Sequence, residues 1–529
     1  MFLLAVRRLA ATALLALLMA PAVEAAPRVL DLPGPDRAAL EAEDQARLLA
    51  GGGGPDRFAW PADLTLTPTD GDGWDRLPDG SHRWRLQVRA PGSLSLNLGF
   101  ARFRLPWGGR LVWRGRTGPE REFTAADNHD SGQLWTPVVL GDEALLTLEL
   151  PAGSRDDYDL ELTRVGRGYR LFGEDAAAKM GDCNIDVACP EGDPWRAEIR
   201  SVAVYTLSGA WTCTGAMVNN TASDGTPYFL TAYHCNVSAP NAASTVFYWN
   251  YESPECGLLS GGSLDDAQSG ATWRAGYDAS DMTLLELAPP DTSWHVTYAG
   301  WDRGGAVPAG AVAIHHPSTD EKCISFENDP LEVTSYLSYD QPGNGTHLRV
   351  VDWDLGTTEP GSSGSPLFDA GHRIVGQLHG GYAACGNDAS DWYGRVSVSW
   401  LGGGTETTQL AAWLDPAGTG ALRVDTYDPL TGGEEPPPEE TPETAVLHGA
   451  VHNPAVGTAS VAYDLPEGGH ATLTIYDLRG RRVAVLVDEM RTAGSHEEPW
   501  AATLAPSGVY IVRLEALGET HTGTFTLLH

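Results

Sequence analysis

Three residues far apart in the chain, His234, Asp281 and Ser365, are of the types that together turn a serine into a nucleophile. Ser365 lies in Glu359-Pro360-Gly361-Ser362-Ser363-Gly364-Ser365-Pro366, a small-residue turn that runs into Leu367-Phe368. Such a turn exposes one serine and lets a substrate carbonyl approach nearby backbone N–H groups. A serine hydroxyl is unreactive at neutral pH without a positioned base. Tyr228 to Cys235 is an apolar strand that delivers His234, and Ser280 to Leu287 puts Asp281 at the head of another. The chemistry on offer is acyl transfer: His234 takes the Ser365 proton, and Asp281 holds the imidazole and stabilises its cation. Asp278 competes for the carboxylate role, but Asp281 directly precedes the apolar strand.

The order His, Asp, Ser is that of chymotrypsin-type enzymes; α/β-hydrolases run Ser, Asp, His and subtilisins Asp, His, Ser. The turn also fails G-x-S-x-G, because position 365 is serine where the second glycine belongs. The elements around these residues are short alternating apolar runs between glycine and proline turns, with almost no long stretch at helical period, so the fold class is mostly β.

At 529 residues the chain is too long for one core and suggests three or four units. Its formal net charge of −35, with no offsetting Lys/Arg cluster, disfavours nucleic acid and anionic lipid as partners. Met1 to Ala25 carries two arginines, the apolar run Leu9 to Leu18 and the small-residue site Val23-Glu24-Ala25, which is a signal peptide. No transmembrane segment is expected, so the protein is exported, extracellular or attached to the cell surface. All seven cysteines lie between Cys183 and Cys385 and read as disulfide staples of one domain, with one left over.

The expected boundaries are a signal peptide at 1–25, a β-rich propeptide at 26–179, a catalytic domain at 180–428, a Pro/Glu-rich linker at 429–444 and a last β unit at 445–529, the limits at 179 and 428 being those implied by the resemblance given below. Arg28 to Gly54 reads as a flexible lead-in. Strand-period runs from Trp84 to Leu162 make the first unit a small β-sandwich, a propeptide or else a separate carbohydrate- or surface-binding module. Leu410 to Leu414 is a candidate short helix.

The chain resembles the lysyl endopeptidases, secreted bacterial serine proteases of the chymotrypsin fold. Blocks that carry the resemblance include Cys183-Asn184-Ile185-Asp186-Val187, Phe229 to Cys235, Ala313-Ile314-His315-His316-Pro317, Glu359 to Pro366 and Gly376-Gln377-Leu378-His379-Gly380-Gly381. The resemblance implies a double β-barrel that cuts peptide bonds after lysine. It implies an oxyanion hole from the N–H groups of Ser363 and Ser365, and Asp391 at the base of the substrate pocket. His379 and Gly380 would stand beside the substrate backbone, a structural role for His379 being the alternative. The implied disulfides are Cys183–Cys385, Cys189–Cys256 and Cys213–Cys235, with Cys323 free. The aspartate that pairs with the new N-terminus in trypsin-like zymogens is replaced by Gly364, so that ion pair is not expected.

Lysine occurs only at Lys179 and Lys322, and the resemblance places propeptide removal near the first, which makes Lys179–Met180 the processing site. The last unit, with Ala471 to Asp477 and Pro506 to Ile511, resembles the Ig-like C-terminal sorting modules of type IX secretion cargo. Proteins or peptides are the expected substrates, the secretion machinery is the partner of the last unit, and a monomer is expected. No cofactor and no metal site are expected; His315-His316 has no matching ligands nearby in sequence. The rival readings are a broader Arg/Lys protease and a catalytically idle, protease-like surface-binding protein.

Overall fold

The computed structural model describes residues 25–49, 54–68, 73–170, 181, 183–258, 261–431, 445–450, 455–456, 459–466, 468–491, 494–500 and 505–528. Nearly all of the expected signal peptide, most of the linker and the processing site Lys179–Met180 lie outside them. The chain is mostly β and falls into two compact units, Met1–Leu430 and Thr431–His529.

The first part of the larger unit is a sandwich of a six-stranded and a five-stranded sheet. Alternation explains the layers: along Glu143–Leu150 every second residue is buried, so Ala144, Leu146, Leu148 and Leu150 enter a core with Trp84, Trp113, Phe100 and Leu162. The expected flexible lead-in is instead ordered. Arg28–Asp31 pairs in parallel with His82–Arg89, and Arg37–Leu49 is a helix. Its inward face carries a charge, which hid the helical period. Asp44, 1% exposed, accepts from Arg57 Nε and Arg170 Nη2, both at 3.0 Å, and from the Tyr169 hydroxyl.

This sandwich shares a core with the part of the same unit downstream of it. Asp56–Arg57 pairs antiparallel with Trp211–Val218, adding a strand to an eight-stranded sheet. Phe58, Trp135 and Val138 bury themselves with Val204, Val246 and Tyr248. Asn97 Nδ2 donates to Gly209 O at 3.1 Å.

Two further sheets carry the candidate residues. The first is eight-stranded and runs Ala267–Ser269, Thr245–Tyr248, Val202–Leu207, Trp211–Val218, Tyr228–Ala232, Met282–Leu287, Ala271–Tyr277. The second, ten-stranded, has at its centre Ala311–His315, Pro366–Phe368, Arg373–Gly381, Asp391–Arg395 and His347–Val350. Their apolar faces meet in one core, Ala216, Leu230 and Leu284 from the first with Ile314, Phe368 and Ile374 from the second. Cys183–Cys385, Cys189–Cys256 and Cys213–Cys235 are bridged, and Cys323 is buried outside these bridges. Ala411–Leu414 forms the short helix.

The smaller unit has a three-stranded and a five-stranded sheet around Val461, Tyr463, Leu473, Ile475, Val512 and Phe525.

Candidate active site

His234 does not end a strand but sits on a 3₁₀ turn, Tyr233–Cys235, just after Tyr228–Ala232. Asn236 closes that turn in the left-handed region, and the Cys213–Cys235 bridge staples it to the neighbouring strand. Asp281 comes after the Asp278–Ser280 turn, also left-handed at φ 54°, and is 1% exposed. One carboxylate oxygen accepts from His234 N at 2.8 Å, and the other lies 2.8 Å from His234 Nδ1. Burial raises the Asp281 carboxyl above its ordinary range, and the bonds from His234 pull against it. Gln377 Nε2 holds the backbone of this turn, donating to Ser280 O at 2.7 Å and Asp281 O at 3.2 Å. Asp278, the competing carboxylate, is exposed and makes no bond to His234.

Ser365 heads Pro366–Phe368 on the second sheet. Its carbonyl accepts from Leu378 N–H at 2.9 Å, one residue before His379. Gly364 has φ +84°, and a Cβ there would come 2.3 Å from Thr231 Oγ1 and 2.4 Å from Thr214 O, so only glycine lets this turn seat against the first sheet. Ser363 O accepts from Thr214 N at 2.8 Å across the same seam. The Ser365 hydroxyl is buried and makes no hydrogen bond to His234. Its N–H donates to Ser362 O at 2.9 Å, so in this state one expected oxyanion donor is already engaged.

His379 turns its imidazole toward the His234–Asp281 pair. The His379 and His234 rings are stacked at 5.3 Å between centroids, and His379 Nε2 is 3.8 Å from Asp281 Oδ1. Tyr336 stacks on His379 as well, and His347 Nε2 lies 2.9 Å from His379 Nδ1. Burial lowers His379 to about 2 and His347 to about 4, which keeps both neutral. Sequence reasoning missed Tyr336 and His347. The alternation in Thr346-His347-Leu348 was a faint signal for the second, and nothing local pointed to the first.

Asp391 opens Asp391–Arg395 and is 1% exposed. Its Oδ2 accepts from Thr358 Oγ1 at 2.7 Å and Trp353 Nε1 at 2.9 Å, and among the described residues no cation pairs with it. Burial pushes this carboxyl up. On the facing strand a Cβ at Gly381 would lie 2.4 Å from Asp391 Oδ1, and Gly380 has φ +132°.

Among the described residues the one group of metal-capable atoms that converges is that of His234, Asp281 and His379, within 4.8 Å of one another. His315 and His316 are fully buried, the first between Ser362 Oγ at 2.8 Å and Ser325 Oγ at 3.0 Å. Lys322 is also fully buried, its Nζ 2.8 Å from both Ile199 O and Glu252 Oε1.

Comparison with known proteins gives this geometry a family. The domain described as lysyl endopeptidase, C-terminal domain, matches residues 177–394, and the lysyl endopeptidase N-terminal domain matches residues 69–165. The chain is similar to the lysyl endopeptidase of Pseudomonas aeruginosa, 30% identical over 353 residues, which is 60% of this chain and 72% of that protein. Solved structures with slight likeness include the inactive form of Rv3671c from M. tuberculosis, at 17% identity over 41% of this chain and 91% of that one, TM-score 0.26. The VesB protease of Vibrio cholerae matches at 13% identity over 63% of this chain and 96% of its own, TM-score 0.27. Neither structural likeness carries weight beside the sequence match. With both domains matched in order, and that identity across 72% of a curated relative, the chain belongs to the lysyl endopeptidase family.

Proposed function

We propose that this serine endopeptidase cuts on the carboxyl side of lysine through an acyl-enzyme on Ser365. The observation that carries the specificity is Asp391, a buried carboxylate that has neutral donors and no cation among the described residues. A buried ammonium without a counter-charge is prohibitive, so a fixed carboxylate selects a cationic side chain. Because Thr358 and Trp353 already occupy Oδ2, the carboxylate is poorly placed to grip a two-pronged guanidinium. A single ammonium asks less of it.

For the chemistry, His234 Nε2 takes the Ser365 proton as the hydroxyl attacks the carbonyl, then gives it to the leaving amine. Asp281 fixes Nδ1–H and stabilises the imidazolium, and water repeats the cycle on the ester. The N–H groups of Ser363 and Ser365 stabilise the oxyanion, the second after it leaves Ser362 O. One such donor is worth about 3 kcal/mol.

We also infer that the N-terminal sandwich is a propeptide removed by cleavage after Lys179, that the enzyme works outside the cell as a monomer, and that the C-terminal unit addresses it to the secretion machinery. Three disulfides suit an oxidising compartment. Among the described residues no helix is long and apolar enough to cross a membrane.

Digestion of a denatured protein mixture with the purified enzyme, followed by mapping of the cut sites, tests the specificity. Cuts confined to lysine are expected, and efficient cutting after arginine would favour the broader protease. Fluorophosphonate should label the wild type and leave Ser365→Ala unlabelled and inactive, with kcat down by many orders of magnitude. An unlabelled wild type would favour the idle binding protein.

A further inference from the structure

His315 ends the strand Ala311–His315 fully buried, and it belongs to neither the proton-transfer set nor the pocket. What its ring touches is the loop that leads to both. Its Nε2 lies 3.0 Å from Ser325 Oγ and its Nδ1 2.8 Å from Ser362 Oγ. The hydroxyls fix the tautomer. Ser325 Oγ donates its one proton to Thr357 O at 2.7 Å, so toward the ring it can only accept, and Nε2 bears the hydrogen. Burial keeps the ring neutral, so Nδ1 is bare and accepts from the Ser362 hydroxyl. Ser362 Oγ in turn accepts from Glu359 N–H at 3.3 Å.

The hydrogen bonds therefore run one way, from Glu359 N–H through Ser362 to Nδ1, and from Nε2–H through Ser325 to Thr357 O. Both ends lie on the same loop and bracket Thr358, whose hydroxyl donates to Asp391 Oδ2 at 2.7 Å. That loop passes close to Ser325: Gly356 has φ +80°, and a Cβ there would meet Ser325 Oγ at 2.5 Å.

The other arm reaches the nucleophile's turn. Ser362 O accepts from Ser365 N–H at 2.9 Å. Ser362 O and Ser363 N–H belong to one planar trans peptide and point to opposite sides of it. One turn of that plane frees Ser365 N–H and reverses Ser363 N–H together. It pivots on Ser362 Cα, whose side chain His315 holds.

Resting on the reading above that Ser363 and Ser365 serve the oxyanion and Asp391 the lysine, we propose that His315 is a positioning residue of this reaction. Through Nδ1 it fixes the pivot of the Ser362–Ser363 peptide, and through Nε2–H it fixes the Thr358 segment against Asp391. An apolar side chain of the same size would fill the space but leave the Ser362 hydroxyl without its acceptor and Ser325 Oγ without its donor, both buried.

Two amides separate the arms, because asparagine carries its oxygen at the reach of Nδ1 and glutamine its N–H at the reach of Nε2. The experiment compares the purified wild-type enzyme with His315→Gln, His315→Asn and Ser362→Ala, measuring kcat and KM on a lysyl peptide amide and the thermal midpoint of each. Two inhibitors accompany it: a peptidyl-lysine aldehyde, whose adduct with Ser365 carries the oxyanion, and butylamine, which meets only the pocket. His315→Gln keeps the Ser325 arm and should lose about 10- to 100-fold in kcat, since a misplacement of about 1 Å can cost about 100-fold. Its affinity for the aldehyde should fall likewise, with KM and butylamine binding little changed. His315→Asn keeps the Ser362 arm and should show its defect in KM and butylamine binding rather than in kcat. Ser362→Ala removes a single hydroxyl, so a folding defect at the buried histidine does not decide the matter. It should repeat the kcat loss of His315→Gln, and the two changes combined should lose no more than either. Equal losses in kcat and KM by two folded amide variants, or wild-type kcat in Ser362→Ala, overturn the proposal and leave the reading of Ser365 and Asp391 standing. Turnover by Ser365→Ala overturns both.

Discussion

The rings of Tyr336 and His379 lie 3.5 Å apart between centroids and 2° from parallel, with His234 stacked on the same imidazole. Tyr336 is thereby a lid that keeps water from a histidine beside the proposed general base. With His379 held to about 2 by burial, the acid limb of kcat/KM should reflect uptake of about one proton. Tyr336→Ala admits water, returns His379 toward its ordinary value and should steepen that limb toward about two protons below roughly pH 6. The slope of log kcat/KM against pH is the measurement, and an unchanged slope would separate Tyr336 from the protonation of this site.

The pocket carboxylate invites a paired test. Asp391→Asn should lower kcat/KM on lysyl substrates by the roughly 2 to 5 kcal/mol that breaking a buried charge pair costs. Its folding should change little. Thr358→Val removes one of the two bonds to Oδ2 and opens that oxygen. The ratio of arginyl to lysyl kcat/KM should therefore rise in Thr358→Val, and a ratio equal to that of the wild type would mean that the Oδ2 contacts do not sort the two side chains.

Stability should fall on mild acidification. His315 at about 3, His347 at about 4, His379 at about 2 and His316, well below its ordinary value, are all neutral in the fold because burial disfavours their charge. Unfolded histidine titrates near about 6.5, so below that pH unfolding takes up protons and stability drops as pH falls. Glu327, raised to about 7 by burial, opposes them, since it is protonated when folded and ionised when unfolded over much of that window. Thermal midpoints should therefore fall from pH 7 to pH 5, more steeply in Glu327→Gln and less steeply in His347→Gln. Each fully titrating histidine contributes about 1.4 kcal/mol per pH unit.

The smaller unit should be dispensable for chemistry. A chain ending at Asp428 is expected to cleave peptides at the wild-type rate but to stay inside its native host. Fractionation of host cultures settles the second half, and normal export of the shortened chain would remove the sorting role.

The range of each interaction determines how legible it was in the sequence. His234, Asp281 and Ser365 each stand where an apolar run meets a turn, so local pattern and chain order were enough to single them out. Asp391 looked like any aspartate near glycine and was reached through resemblance alone. Tyr336, and the bond between His315 and Ser362, had no local signature, since the latter joins residues 47 apart in the chain. The helix Arg37–Leu49 was misread as a flexible lead-in because its inward face holds Asp44, a charge that partners such as the distant Arg170 and nearby Arg57 make tolerable. The N-terminal sandwich read as a separate unit because alternation reports burial within a sheet, not the pairing of Asp56–Arg57 with Trp211–Val218.

Lys322 gives the enzyme a clock. The proposed cut at the junction uses up Lys179, and the remaining lysine is wholly buried against Glu252 and Ile199 O. A protease confined to lysine then meets no cleavable bond on its own folded surface and destroys itself only from molecules that have opened around this residue. Self-digestion tracks the open population when reclosing is fast, and the opening rate when it is not. Either way, the working lifetime of a stored sample becomes a direct readout of conformational opening, and any substitution that prolongs it need not touch the catalytic groups at all.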